Sequence, residues 1–335
     1  MKIQTHPLQR ANRNSIRRSR TWLLAKTATI FLASVAVLLV TGAAHQGAAR
    51  PSRPQQQPAT PAEWKAVEQA MGKAGAMQAG DVFKFSFPRS DLKVTVAGVQ
   101  IKPALALGSW VAFKKMGAEA MVMGDLVLTE DEVSQVMFKL QQGGIEQSAL
   151  HNHVLGESPR VMYMHISAHG HAVALAETLH RVLALTGTPL SAPAGSPPSQ
   201  DLGIDTKQLD QIIGFAGKVN GGVYQFSVPR AEKIMEGGME VPPSMGVATA
   251  INFQPTGNGK AAITGDFVMI ASEVNEVIRA LRANGIEVTA LHSHMLDEEP
   301  RLFFMHFWAN DDAVKLARGL RAALDKTNSA RDHGK

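Results

Sequence analysis

The sequence predicts an α+β protein of two tandem homologous repeats. Each is expected to be an antiparallel sheet with helices packed on one face and a ferredoxin-like second half. Three observations lead there. Residues 124–183 align without gaps onto 265–324 at an offset of 141, with 27 of 60 positions identical. Within each aligned block the apolar pattern runs strand, helix, strand, strand, helix. Two Pro-rich segments, 50–62 and 189–200, lie outside the blocks and are too polar to offset their ordering entropy by burial. The expected organisation is a signal peptide or membrane segment at 1–49, a Pro/Gln-rich tether at 50–62, repeat 1 at 63–188, a Pro/Ser-rich linker at 189–203 and repeat 2 at 204–328. A unit of this length is a duplicated domain rather than a solenoid repeat.

In repeat 1 the spacing predicts a helix over 64–79, ending in a Gly-rich stretch, then strands at 82–87, 93–101, 109–114 and 119–128. Thr129 and Glu132 form a capping box ahead of Val133, Val136, Met137 and Leu140, which share one helical face. Gly143 and Gly144 stop that helix. Strands at 146–154 and 160–167 flank the turn Gly156-Glu157-Ser158-Pro159. A last helix carries Ala172, Leu175, Ala176, Leu179 and Leu183. Repeat 2 copies the pattern with Val274, Val277, Ile278 and Leu281, then Ala313, Leu316, Ala317, Leu320 and Leu324.

The most similar stretches are ALHNHVLGESPR (149–160) and ALHSHMLDEEPR (290–301), followed by Met164-His165 and Met305-His306. These residues resemble the LppY/LpqO family of exported bacterial proteins, over roughly 64–330. The resemblance implies export and this domain type, with no established activity. The family's namesakes are lipoproteins, whereas this chain has no cysteine to acylate.

The absence of cysteine also excludes disulfides, zinc–cysteine sites and thiol catalysis. The net charge of +5 is concentrated at one end. Residues 1–49 hold seven basic residues and no acid, so the remainder carries +5 − 7 = −2, which argues against a nucleic-acid partner. The basic region precedes a 14-residue apolar run at 27–40 and then small residues, the layout of a secretory signal. The alternative is an uncleaved membrane anchor. Either places the body in the periplasm or outside the cell, with membrane contact only through this segment and an envelope ligand or protein as partner.

Six of the twelve histidines occupy mirrored positions: His151, His153 and His165, and His292, His294 and His306. An odd hairpin loop sets His151 opposite Tyr163 and His165 opposite Ala149, so that all three rings share the face away from the helices. That register keeps Met162, Met164 and Ile166 on the helix side, as it does Phe303, Met305 and Phe307; an even loop puts two imidazoles into that core. Three imidazoles with an open position suit zinc or another divalent borderline metal. Glu157 and Glu298, in the adjacent turns, are candidate catalytic residues, as general base or fourth ligand. A metal-free polar site and a purely structural role stay open beside the metal.

Arg160 and Arg301 follow Pro in the turns and are expected to pair with neighbouring acids, with anion or ligand binding as the alternative. Trp308 falls on the histidine face, where it packs in the core or walls a pocket. Arg89 and Arg230 are expected to be solvated, Asp125 and Asp266 to serve turns or backbone caps, and His169 and His171 to open a helix. There is no phosphate loop, nucleophile elbow, HExxH helix or EF-hand. The functional expectation is an exported binding or accessory protein with a histidine-lined site in each repeat. The alternatives are an extracytoplasmic metal-dependent hydrolase using the same histidines, and a structural protein whose duplicated sheets pack on each other.

Overall fold

A computed structural model describes residues 61–190 and 201–330. The signal-like segment, nearly all of the tether and the centre of the linker lie outside the described residues. Repeat 1 runs α1 (Lys65–Met71), β1 (Ala76–Gln78), β2 (Val82–Pro88), β3 (Thr95–Val96), β4 (Val99–Gln100), α2 (Pro103–Ala106), β5 (Gly108–Met116), β6 (Glu119–Thr129), α3 (Glu130–Gln142), β7 (Glu146–His151), β8 (Val161–Gly170) and α4 (Ala172–Leu183). Repeat 2 runs α5 (Thr206–Ile213), β9 (Lys218–Asn220), β10 (Val223–Pro229), β11 (Met235–Glu236), β12 (Met239–Glu240), β13 (Ala248–Gly257), β14 (Lys260–Met269), α6 (Ala271–Ala283), β15 (Glu287–His292), β16 (Phe303–Asp312) and α7 (Ala313–Leu324).

Each repeat forms a six-stranded antiparallel sheet, in the order β1-β2-β5-β6-β8-β7 and its counterpart β9-β10-β13-β14-β16-β15. Strand β8 lies between β6 and β7, with α3 crossing over: a split β-α-β unit, which is the ferredoxin-like half. Alternation along β2 sends Phe83, Phe85 and Phe87 to the helix side, against Val136, Leu140, Leu175 and Leu179. In repeat 2, Tyr224, Phe226 and Val228 meet Leu209, Val277, Leu281 and Leu320 in the same way.

The opposite face of each sheet is also buried, because the two repeats pack on each other within one compact unit. Val82, Ala112, Met121 and Met123 pack with Ile234, Val247, Val268 and Phe304 of repeat 2. Val94, Ile101, Val127 and Tyr163 pack with Val223, Ala262 and Trp308. Hydrogen bonds cross the junction as well. Gln254 accepts from Lys102 N at 2.7 Å and donates to Gln100 O at 2.9 Å, and Gln225 donates to Ala104 O at 2.7 Å. Two-sided burial explains why β6 is buried along almost its whole length.

Some expected elements differ. The first helix ends at Gly72, in the left-handed region at φ 69°, and 76–78 instead pairs with β2 as an edge strand. Residues 93–101 are a tight β3–β4 hairpin rather than one strand. Asp312 caps α7 through Lys315 N, but His171 makes no side-chain cap and His169 lies within β8.

Arg89 and Arg230 are not solvated: they are 1% and 6% exposed. Arg89 Nη1 donates to Glu132 Oε2 at 2.7 Å and to Val127 O at 2.8 Å, while Nη2 reaches Glu132 Oε1 and Asp91. Glu132 also accepts from Thr129 N, completing the capping box, and from Gly187 N beyond α4. Arg230 repeats this with Glu273, Val268 O and Glu232. One guanidinium thus joins the end of β2, the start of α3 and the chain beyond α4. The capping box made Glu132 look like a local feature, whereas it serves this network.

Removing one partner strands a buried charge, so Arg89→Met should lower the unfolding free energy by about 3–5 kcal/mol. The Arg89→Met/Glu132→Met pair should cost clearly less than the two single losses added together. Urea titrations of the four proteins check this, and strict additivity would count against the pairing.

Candidate functional site

The histidine hairpins adopt the odd-loop register in both repeats. His151 pairs with Tyr163 and Ala149 with His165; His292 pairs with Phe304 and Ala290 with His306. Each triad therefore shares the face away from the helices. That face is where the two repeats meet, so the triads form one centre rather than one site per repeat. The rings of His151 and His292 stack at 3.7 Å between centroids, and His153–His306 and His165–His294 each stack at 3.8 Å. The last two pairs are equivalent under exchange of the repeats, which puts a local two-fold relation through the His151–His292 stack. His151 Nε2 and His306 Nε2 are 3.2 Å apart. Tyr163 stacks on His153 at 3.3 Å, and its counterpart Phe304 on His294 at 3.5 Å, closing the two ends.

A β-bulge sets this approach. In β7 and β15 the register shifts at Ser148 and Thr289. These extra residues reach across to the other repeat: the Ser148 hydroxyl donates to His294 O, and Thr289 Oγ1 donates to His153 O at 2.6 Å.

Asp125 and Asp266 are not turn residues. They lie within β6 and β14, opposite His165 and His306, and face the centre. Asp266 Oδ2 is 2.9 Å from His294 Nε2, and Asp125 Oδ2 is 3.6 Å from His153 Nε2. Gly124 and Gly265 precede them because a Cβ at Gly265 would sit 1.9 Å from Ala250 O, and one at Gly124 2.7 Å from Trp110 O. The Gly265 carbonyl accepts from His306 Nδ1 at 2.7 Å, and Gly246 O from His294 Nδ1 at 3.0 Å. Both rings therefore donate through Nδ1 and turn Nε2 to the centre, that of His294 toward Asp266. The Gly-Asp pair at the same position in both repeats, on the strand beside the third histidine, was the signal that could have revealed these carboxylates.

Burial disfavours charge on five of the rings and on Asp125. It lowers His151 to about 2, with neighbouring imidazoles adding to the effect, and pushes His153 and His165 well below the ordinary histidine value. His292 and His306 are lowered too, first by burial. Burial and then the facing Asp266 push Asp125 up to about 8, partly offset by Lys84. Lys84, over the Trp110 ring at 4.0 Å, is itself lowered to about 8 by burial. Three groups have ligand atoms within 4.8 Å of one another: His151/His153/His306, His151/His165/His292 and Asp266/His292/His294. Stacked rings hold their lone pairs side by side, so the imidazoles must fan apart to converge on one ion.

The other candidates stand outside the centre. Glu298 is buried, accepts from Leu302 N at 2.8 Å and lies 3.3 Å from Arg301. Neither it nor Glu157 belongs to a metal-capable group among the described residues. Arg160 is exposed and meets Glu130 at 3.4 Å, while Arg301 also donates to Leu296 O. Trp308 is on the histidine face, but packs in the inter-repeat core instead of walling a pocket.

The family described as "Domain of Unknown Function (DUF1259)" matches residues 65–185 and again 207–326. No curated protein matches the chain. Among solved structures, the crystal structure of a trimeric bacterial microcompartment shell protein, PduB, is similar at 14% identity over 77% of this chain and 96% of that one. Its TM-score of 0.20 is too low to carry an argument.

The centre makes the metal-free protein acid-sensitive. Five rings have folded pKa values below the unfolded value of about 6.5, so below that pH the unfolded chain binds more protons and stability falls as pH falls. Asp125 has the opposite sign, because at pH 5 it is protonated in the folded state and ionised in the unfolded one. The rings therefore drive a net proton uptake on unfolding near pH 5, reduced by the raised carboxyls of Asp125 and Glu236. Urea unfolding from pH 7.5 to 5 reads this slope; a flat profile would mean that the rings are in contact with water.

Proposed function

Since the chain belongs to this family in two copies, and the family description names no activity, we propose a function from the centre itself. The protein is an exported cell-envelope protein that holds a divalent transition-metal ion between its two repeats. The observation that carries this is a set of eight buried atoms at the centre without a hydrogen-bond partner among the described residues. They are Asp125 Oδ1, Asp266 Oδ1, His151 Nδ1, His153 Nε2, His165 Nε2, both ring nitrogens of His292, and His294 Nε2.

Leaving a buried polar atom unpaired costs about 1–3 kcal/mol, and so many together call for a cation. Imidazole and carboxylate donors suit zinc and its borderline neighbours rather than calcium or magnesium. Around a tetrahedral zinc at about 2.0–2.1 Å, two nitrogens stand about 3.3–3.4 Å apart, close to the 3.2 Å between His151 Nε2 and His306 Nε2. The backbone anchors on His294 and His306 are the outer contacts that orient metal ligands. Export rests on the basic and apolar N-terminus and on the likeness to the LppY/LpqO proteins. Binding is favoured over hydrolysis because the rings are buried and Glu298 is engaged elsewhere.

The test uses the full-length chain purified in detergent, stripped with chelator and returned to Zn²⁺. Bound metal is expected, with a rise in melting temperature corresponding to about 2.7 kcal/mol at a hundredfold excess over Kd. A His151→Ala/His292→Ala double variant should remove most of that rise, because these two rings between them enter all three ligand groups. No retained metal and an unchanged melting temperature would sink the proposal.

A further inference from the structure

Building on that reading, we infer that the centre holds two ions, one on each side of its local two-fold relation, and that the ion beside Asp266 binds more tightly. The ligand groups carry the first part. His151/His153/His306 and Asp266/His292/His294 share no residue, and each is already gathered within 4.8 Å. Exchange of the repeats extends each group by one residue. Asp125, the counterpart of Asp266, lies beside His153 and joins the first. His165, the counterpart of His306, is stacked on His294 and joins the second. Each set then has three imidazoles and one carboxylate, with two rings and the carboxylate from one repeat and the third ring from the other.

The second part comes from the places where the repeats have diverged. On the Asp125 side the Lys84 ammonium lies 4.0 Å over the ring of Trp110, the residue paired with Asp125, while the equivalent residue in repeat 2 is Gln225. Tyr163 closes the first end, and Phe304 the second. The Asp266 side has the closer carboxylate–imidazole pair, 2.9 Å against 3.6 Å. A neighbouring cation opposes metal binding on one side only, so the two steps should separate.

The experiment is a competition titration of the chelator-stripped full-length protein with Zn²⁺, using a chromophoric chelator, with metal content measured at saturation. Two equivalents in two resolved steps are expected. Asp266→Asn should weaken the tighter step, and Asp125→Asn the weaker one, each by at least the 10–100-fold (about 1.4–2.7 kcal/mol) that loss of an outer-sphere partner costs. Lys84→Gln, which copies repeat 2, should tighten the weaker step by about tenfold and leave the tighter one in place. Near-ultraviolet circular dichroism of each stripped variant checks that it is folded, and Lys84→Gln keeps the test valid if an aspartate variant is not. Saturation at one equivalent, with both aspartate variants weakening that same step, would overturn the two-ion inference and leave the metal centre standing. Two equivalents with no response to Lys84→Gln would overturn the order of filling. No bound zinc at all would overturn both this inference and the reading it rests on.

Discussion

The structure depends on gathering six imidazoles and two carboxyl groups between the two sheets. Each sheet has a wholly apolar face under its helices and a mixed face opposite. The mixed face cannot be left in water, because Val82, Met121, Met123 and Val127 share it with the histidines. Buried against an apolar surface it would leave the rings without polar neighbours. Packing it on its own duplicate brings apolar residues together on the flanks and stacks rings on rings along the axis.

The surrounding features hold that junction in register. The Ser148 and Thr289 bulges each insert one residue into an edge strand, and the inserted hydroxyl finds a carbonyl of the other repeat. Gly124 and Gly265 let neighbouring backbone approach where a Cβ would collide, and this sets the depth of Asp125 and Asp266. Further out, the Arg89–Glu132 and Arg230–Glu273 pairs tie the end of one strand to the start of a helix. Local chemistry thus fixes each sheet, and contacts between the repeats fix the centre.

The parts governed by local rules were legible in the sequence. The capping box, the glycine helix stop and the hairpin parity follow from residues within a few positions of one another, and parity alone brought each histidine triad onto one face. Contacts between the repeats were not legible. Nothing near His151 announces that it stacks on His292, and Asp125 reads as a turn residue until β6 is known to be buried on both faces. The apolar runs 120–123 and 126–128, broken only by Gly124 and Asp125, were the available clue, since a strand with one wet face alternates. Arg89 was misread because its partners lie 38 and 43 positions away. A Pro-Arg at a strand end looks like surface when only its neighbours are considered.

Duplication therefore does more than repeat a domain. A single repeat supplies two rings and a carboxylate on one hairpin and strand, but the ring that completes the set comes from the other copy. Two identical chains could meet in the same way, yet their halves would have to remain equivalent. Joined in one chain, the halves are free to diverge, and they have done so at the residues bordering the centre: Lys84 against Gln225, Tyr163 against Phe304, Trp110 against Ala250. Each change alters charge or hydrogen bonding beside one carboxylate and leaves the six histidines matched. The fold keeps its ligand set symmetric and its surroundings asymmetric, an arrangement open to a fused duplicate and closed to a symmetric dimer.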